Sequence, residues 1–399
     1  MVVLVVAAFR CPGPDPLGGP AVGGGGSGAG PAVGGSDGEG GEGECPDNDV
    51  DDDQDGFSES EGDCDDCNPN VHPGMAELGT LPGDEPVDDN CNGMIDEPLD
   101  CEPDTGTNNL SPTAAAHAIE LCDAPQGGGW GLIGATFTHF DGTPLAGGTA
   151  LQAAVTDLFG TVTPPTGKRM LVLSTGVALD ANDPNACPGD TCGIDGAGGL
   201  APAGFPIGLP GCASGDLLHD DVALNVEIIA PPNARGFRFR TFYLTHEYPD
   251  AVCSEFRDQF VALLSPHPPS WGSSNVIFDD AGIPPSAEFA RFPHCDPDGS
   301  TYWTAFCVDN CPSLPSPYCP EDTALLAGTG FAPVPDGVKG GGATGWLETT
   351  VPLDDDDVIE IRFAIADTTD YVRDSTVLID GFTWIGPPNT GGVPVTTPP

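Results

Sequence analysis

Asp51, Asp53 and Asp55 stand at alternate positions immediately ahead of Gly56. This is a spacing suited to a hard cation. Calcium takes about six to eight oxygens, and alternate carboxylates on a tightly curled loop supply them from one side. With Asp51 as position one, Asp53 and Asp55 fall at three and five and Glu59 at nine; Gly56 at six permits the sharp turn. Gly62 occupies position twelve, and Asp63 just after it is the candidate closing carboxylate. A second copy places Asp88, Asn90 and Asn92 at one, three and five, Gly93 at six, Ile95 at eight and Asp96 at nine, with Glu97 beside it. Its asparagines offer neutral carbonyl oxygens, so this loop is the less charged of the two. The alternative is a solvated acidic linker in which Asp and Gly alternate through composition alone, and two loops with one spacing argue against it.

The surrounding charge favours the same partner. From Asp47 to Asp66 the chain has eleven acidic residues in twenty positions, and from Ser36 to Asp104 it has 25 of its 61 acids with no Lys or Arg. The whole chain carries a formal charge of −50. Nucleic acid needs clustered Lys and Arg and is excluded as a partner; an anionic membrane surface would repel this chain. Divalent cations are the natural counter-charge. Copper is the competing metal, but it favours imidazole and thiolate. The acidic segment offers only His72, which reads as part of the turn "NPNVHPG". Calcium is therefore the expected ion.

The elements that must position these residues fall into blocks. "MVVLVVAAFRCPGP" resembles part of an export signal, with 1–11 as a signal-like remnant and Cys11 as a possible lipid attachment point. Residues 12–44 are a Gly-rich spacer expected to be disordered. Residues 45–104 form the acidic module, too poor in apolar side chains to fold by burial alone and dependent on disulfides and metal. Residues 105–386 have the composition of a globular domain, and 387–399 read as a disordered Pro/Thr tail. No stretch is apolar enough to span a bilayer.

Within the globular block, "SPTAAAHAIELC" opens with Ser111 as N-cap and Pro112 at the first helical position. Residues 149–159, "TALQAAVTDLF", are a second short helix candidate. The rest reads as strands, in "KRMLVLSTGV", "DVALNVEIIA", "RGFRFRTFYLT", "DQFVALLS", "GWLETTV", "DVIEIRFAIAD" and "STVLIDGFTWIG". In the sixth of these, Ile359, Ile361, Phe363 and Ile365 alternate with Glu360, Arg362 and Ala364, the pattern of a half-buried strand. The expected fold class is mainly β: an antiparallel sandwich of jelly-roll type, preceded by the small disulfide- and metal-stabilised loop module.

Enzymatic motifs are missing. "HEY" at 246–248 lacks the second histidine of a zinc protease, and "GCASG" at 211–215 has Ala213 where a nucleophilic serine would stand. None of the seven histidines has ligand spacing to another. Fifteen cysteines point to an oxidising compartment. Cys187 with Cys192 and Cys307 with Cys311 suggest short covalent loops, with Cys295 and Cys319 as further partners. Zinc is the alternative for the cluster from Cys295 to Cys319.

Two family resemblances follow from these residues. "DxDxDGF", "GDCDD", "NPNVHPG" and "NCNGMIDE", in that order over about 47–97, resemble the MopE-type metal-binding repeat of exported bacterial proteins. The resemblance implies a secreted, metal-stabilised module and a Cys64–Cys91 bridge. Leu78 stands where the family pattern has a cysteine, and Cys67 is additional. Farther on, residues 168–385 resemble a divergent choice-of-anchor L domain of bacterial surface proteins. That likeness rests on Glu247-Tyr248, on Asp258 with Phe260, and on Asp370 with Asp374-Ser375, while His246 and Arg257 depart from the pattern. Glu247, Asp258 and Asp374, from distant parts of the chain, are candidates for a second site that takes a cation or a sugar. The alternatives are an ion pair of Asp258 with Arg257 or Arg373, and a sheet-edge role for Tyr248.

The expected protein is non-enzymatic, extracellular or at the cell surface, and stabilised by calcium. It would act in adhesion or recognition through the sandwich, toward an extracellular protein or glycan. Two other readings stand beside it: a secreted hydrolase with an ancillary metal-binding module, and a copper-binding surface protein.

Overall fold

The computed structural model describes residues 50–103, 110–124, 129–145, 151–187, 192, 194, 199–213, 215, 217–290, 292–295, 319, 321, 323–332, 341–353 and 358–399. The signal-like remnant, the Gly-rich spacer and the Cys307/Cys311 pair lie outside these residues. The described chain divides into two units: residues 50–75 with 88–93, and residues 76–87 with everything from Met94 onward. The module expected over 45–104 is therefore not one contiguous body. Residues 76–87 and 94–103 belong to the larger unit, where the Gly79 N–H donates to the Trp384 carbonyl at 2.8 Å and Asn233 Nδ2 to the Ala76 carbonyl at 3.0 Å.

The larger unit is built from β1 (Gly131–Thr138), β2 (Ala153–Thr156), β3 (Met170–Ser174), β4 (Gly199–Leu200), β5 (Leu217–Ile229), β6 (Gly236–Thr245), β7 (Gln259–Ser265), β8 (His294–Cys295), β9 (Gly342–Pro352), β10 (Val358–Thr368), β11 (Ser375–Ile385) and β12 (Val395–Thr397). One antiparallel sheet runs β1-β5-β10-β7 with β4 on β5, and the other runs β12-β9-β6-β11-β3-β2 with β8 on β9. The mainly β, sandwich-like expectation holds. All seven strands read from the sequence are present.

The period of two explains why the sheets face each other. Val222, Leu224, Val226 and Ile228 of β5 and Ile359, Ile361, Phe363 and Ile365 of β10 are buried in one cluster with Phe237, Phe239 and Tyr243 of β6 and Val377 and Ile379 of β11. Burying each large apolar side chain stabilises by about 1.5–3 kcal/mol, so this interior supplies the main driving force. The outer faces are covered as well. Phe242, Leu244 and Leu378 pack with Phe159 and Phe331 on one side, and Ala223, Ala364 and Ala366 with Phe140 on the other.

Two expectations are corrected. Of the expected helix at 149–159, the described residues 151–159 are not helical: Ala153–Thr156 are β2, paired with β3 from Ala153↔Leu173 to Thr156↔Met170. Buried Ala153, Ala154 and Val155 fill the sheet, and tertiary pairing overrides the helical preference of alanine. Nor is 387–399 wholly without structure, since Val395–Thr397 add β12 to the edge at β9 and Thr396 Oγ1 lies 3.1 Å from Thr349 Oγ1. The first helix stands as expected. Helix α1 (Pro112–His117) starts after Ser111, whose hydroxyl accepts from the Ala114 N–H at 3.1 Å.

Five bridges join described cysteines: Cys64–Cys91, Cys101–Cys122, Cys187–Cys192, Cys212–Cys253 and Cys295–Cys319. With Cys295 and Cys319 bonded to each other, they are not thiolate ligands for zinc.

Candidate metal centre

The loop from Asp51 is curled by its own carboxylates. Asp51 accepts from the N–H groups of Gln54 at 2.6 Å and Gly56 at 3.2 Å, Asp53 from Asp55 at 3.1 Å, and Asp55 from Phe57 at 2.8 Å. Gly56 sits at φ 104°, a conformation that side chains disfavour, which fixes glycine at the sixth position. One turn of 3-10 helix, Glu59–Glu61, then brings the chain back to Asp63, whose Oδ1 accepts from the Asp65 N–H at 2.9 Å. Asp66 closes the far side, accepting from the Asp52 N–H at 3.1 Å.

The outcome is two groups of oxygens that share Asp53. One oxygen each from Asp51, Asp53 and Asp66, and one each from Asp53, Asp55 and Asp63, lie within 4.8 Å of one another. Calcium–oxygen distances of about 2.3–2.6 Å put ligand oxygens at such separations. The second oxygens of Asp53, Asp55 and Asp63 are buried and accept no hydrogen bond. Burial, and then crowding by Asp55, pushes the carboxyls of Asp53 and Asp63 above the usual range. Burial also raises Asp66, with Glu59 and Asp52 adding repulsion. The residue types fit a hard divalent ion, which would remove this repulsion and supply the missing partner of each orphaned oxygen.

Asp51, Asp53, Asp55 and Asp63 are thus brought together as the spacing predicts. Glu59 is outside both groups but faces Asp66. Sequence reasoning missed Asp66 because it lies beyond the twelve-position loop; the run "GDCDD" was its one signal. The second loop repeats the curl. Asp88 Oδ2 accepts from the Gly93 N–H at 2.8 Å, as Asp51 does from Gly56, and Asn90 Oδ1 accepts from the Asn92 N–H at 3.1 Å. Asp96 and Glu97 are in the larger unit instead. There Asp96 accepts from the N–H and hydroxyl of Thr80, both at 2.7 Å, and its own N–H donates to Glu77 at 2.8 Å. His72 stacks on Phe57 at 4.8 Å, and its Nε2 is 3.9 Å from Asp55 Oδ2.

In the sandwich, Glu247 and Asp258 are also adjacent, the Asp258 N–H donating to Glu247 Oε2 at 2.6 Å. Asp367, which the sequence reading did not single out, joins them. Burial, and then the charge of Asp258, pushes Glu247 and Asp367 well above the carboxylate range, and burial lifts Asp258 to about 8. Asp374 acts on Asp258 through its charge, and its Oδ2 accepts from the Cys192 N–H at 2.8 Å. Arg257 does not pair with Asp258; its guanidinium is buried against Glu288 at 3.0 Å. Tyr248 stacks on Phe292 at 4.3 Å.

No described protein family, curated protein or solved structure matches the chain.

Proposed function

We propose that this chain is an exported, non-enzymatic surface protein whose acidic loops are folded by calcium and whose β-sandwich serves adhesion or recognition of an extracellular protein or glycan. The observation that carries the reading is the pair of three-oxygen groups sharing Asp53, in a segment without Lys or Arg. Carboxylates this close repel one another until a cation joins them. The bridged cysteines favour an oxidising compartment, where calcium is plentiful. Resemblance to the MopE-type repeat and to the choice-of-anchor L domain supports the same location. Oxygen-only ligation favours calcium over copper.

Calcium titration calorimetry on the full chain tests this. Wild type is expected to bind saturably, and Asp53→Asn to weaken loop binding at least about tenfold, since one oxygen is lost from both groups. Wild-type binding unaltered by Asp53→Asn, or absent at millimolar calcium, would return the segment to an acidic linker. Tighter binding of copper than of calcium would transfer the site to the copper reading.

A further inference from the structure

We propose that the sandwich carries a cation site of its own, in which Glu247, Asp258 and Asp367 hold a divalent ion independently of the loops. The placement follows from strand register. Ala366 of β10 pairs with Gln259 of β7, so Asp367 and Asp258, one step further along antiparallel strands, stand opposite each other. Glu247 reaches the pair from the turn after β6, held by the Asp258 N–H. Three separate elements thus deliver three acids to one end of the sandwich.

Burial makes the arrangement unusual. All three residues are at most 1 % exposed. Neither oxygen of Asp367 accepts a hydrogen bond, and the same holds for Glu247 Oε1 and Asp258 Oδ1. Burying a carboxylate without partners is costly, and such groups are normally paired or bound to metal. The nearest guanidiniums are engaged elsewhere, Arg373 with Asp250 at 3.3 Å and Arg257 with Glu288 at 3.0 Å. A single shared proton could link Asp258 to Asp367 but would leave Glu247 Oε1 without a donor. One divalent ion satisfies all three side chains.

Ligand chemistry selects the class. The donors are all carboxylate oxygens, which suit calcium rather than copper or zinc. The three acids are set wider than the loop groups, not all within 4.8 Å of one another. Oxygens on opposite sides of a calcium ion are about 5 Å apart, so the ion would hold at least one pair of these acids across itself or draw it inward. A cavity of about 130 Å³, lined by Glu247, Asp370 and Arg373 among others, adjoins the site at Glu247.

The test uses the full chain with both loops disabled by Asp53→Asn, Asp55→Asn and Asp88→Asn. Calcium titration of this variant is expected to retain one ion per chain, lost on adding Asp367→Asn. Terbium provides a readout at this site, because the Tyr243 hydroxyl donates to the Asp258 carbonyl at 3.1 Å. Tyrosine-sensitised terbium emission should persist in the loop-disabled chain and fall at least about tenfold with Asp367→Asn. If the loop-disabled chain binds no ion, or if Asp367→Asn leaves its stoichiometry unchanged, the site is refuted. Should Asp367→Asn fail to fold, the melting temperature of the loop-disabled chain decides: a rise with calcium over chelator supports the site, and no rise overturns it. Failure of the loop reading would look different, with equal stoichiometry in wild type and the loop-disabled chain.

Discussion

The loop unit and the sandwich meet the same difficulty, an excess of carboxylates, with opposite means. Around Asp53 the acids are held by short turns, each side chain curling its own backbone, and in that unit Val71 and Met75 are the buried large apolar side chains among the described residues. In the sandwich the apolar interior drives folding and carries acids inward with it. Glu120 and Asp380 show this plainly: both are buried, and burial lifts them to about 9 and about 8. Glu120 Oε2 accepts from the Gly381 N–H at 3.0 Å and Asp380 Oδ2 from the Thr166 N–H at 3.1 Å. One oxygen of each of these acids is met by a backbone donor, and those of the loop are the candidates for a cation. On the proposed reading, one unit would owe its order to a cation, the other to its core.

Perturbing each unit through its own source of order sharpens the contrast. The largest effect is expected from Phe363→Ala, which removes a fully buried ring in the sandwich interior and should cost about 3–5 kcal/mol. Thermal unfolding of the sandwich would register the loss, while calcium affinity of the loops should stay within about twofold. A changed loop affinity would mean that the two units are energetically one. Next comes Cys64→Ser with Cys91→Ser, which opens a bridge of sequence separation 27. Loop-closure entropy puts this at about 3–4 kcal/mol, felt by the loop unit alone. Amide exchange in residues 50–75 should accelerate and that in β5 should not.

A third perturbation concerns pH. Glu120 is raised in the folded state to about 9 from an ordinary value near 4.5, so the folded chain holds this proton more tightly. Its contribution is full below the unfolded value and is lost as pH climbs toward 9. Glu120→Gln should therefore flatten the decline in stability between pH 5 and about 9, as read from denaturant midpoints. An unchanged pH slope would move the proton to another group.

Much of this could be read from residue order, because local rules govern it. The alternation in β10, the cap at Ser111 and the glycine at position six each depend on neighbours a few positions away. What escaped depends on distance. Gly131 and Gly134 interrupt the alternation of β1, so its strand character comes from pairing with β5. Cys101–Cys122 and Cys212–Cys253 join partners that spacing could not match. Asp367 sits where a strand's polar end would be expected, and only the opposing strand turns it into a buried acid.

The bridges also decide how this chain would carry a pull. Tension travelling along the backbone passes from Cys64 directly to Cys91 and from Cys101 directly to Cys122. Residues 68–90 and 102–121, helix α1 among them, would bear no load while those bonds are intact. Fully extended backbone spans about 3.4 Å per residue, so on the order of 80 Å and 70 Å of slack is locked away. Reduction would release both lengths, turning a short tether into a long one.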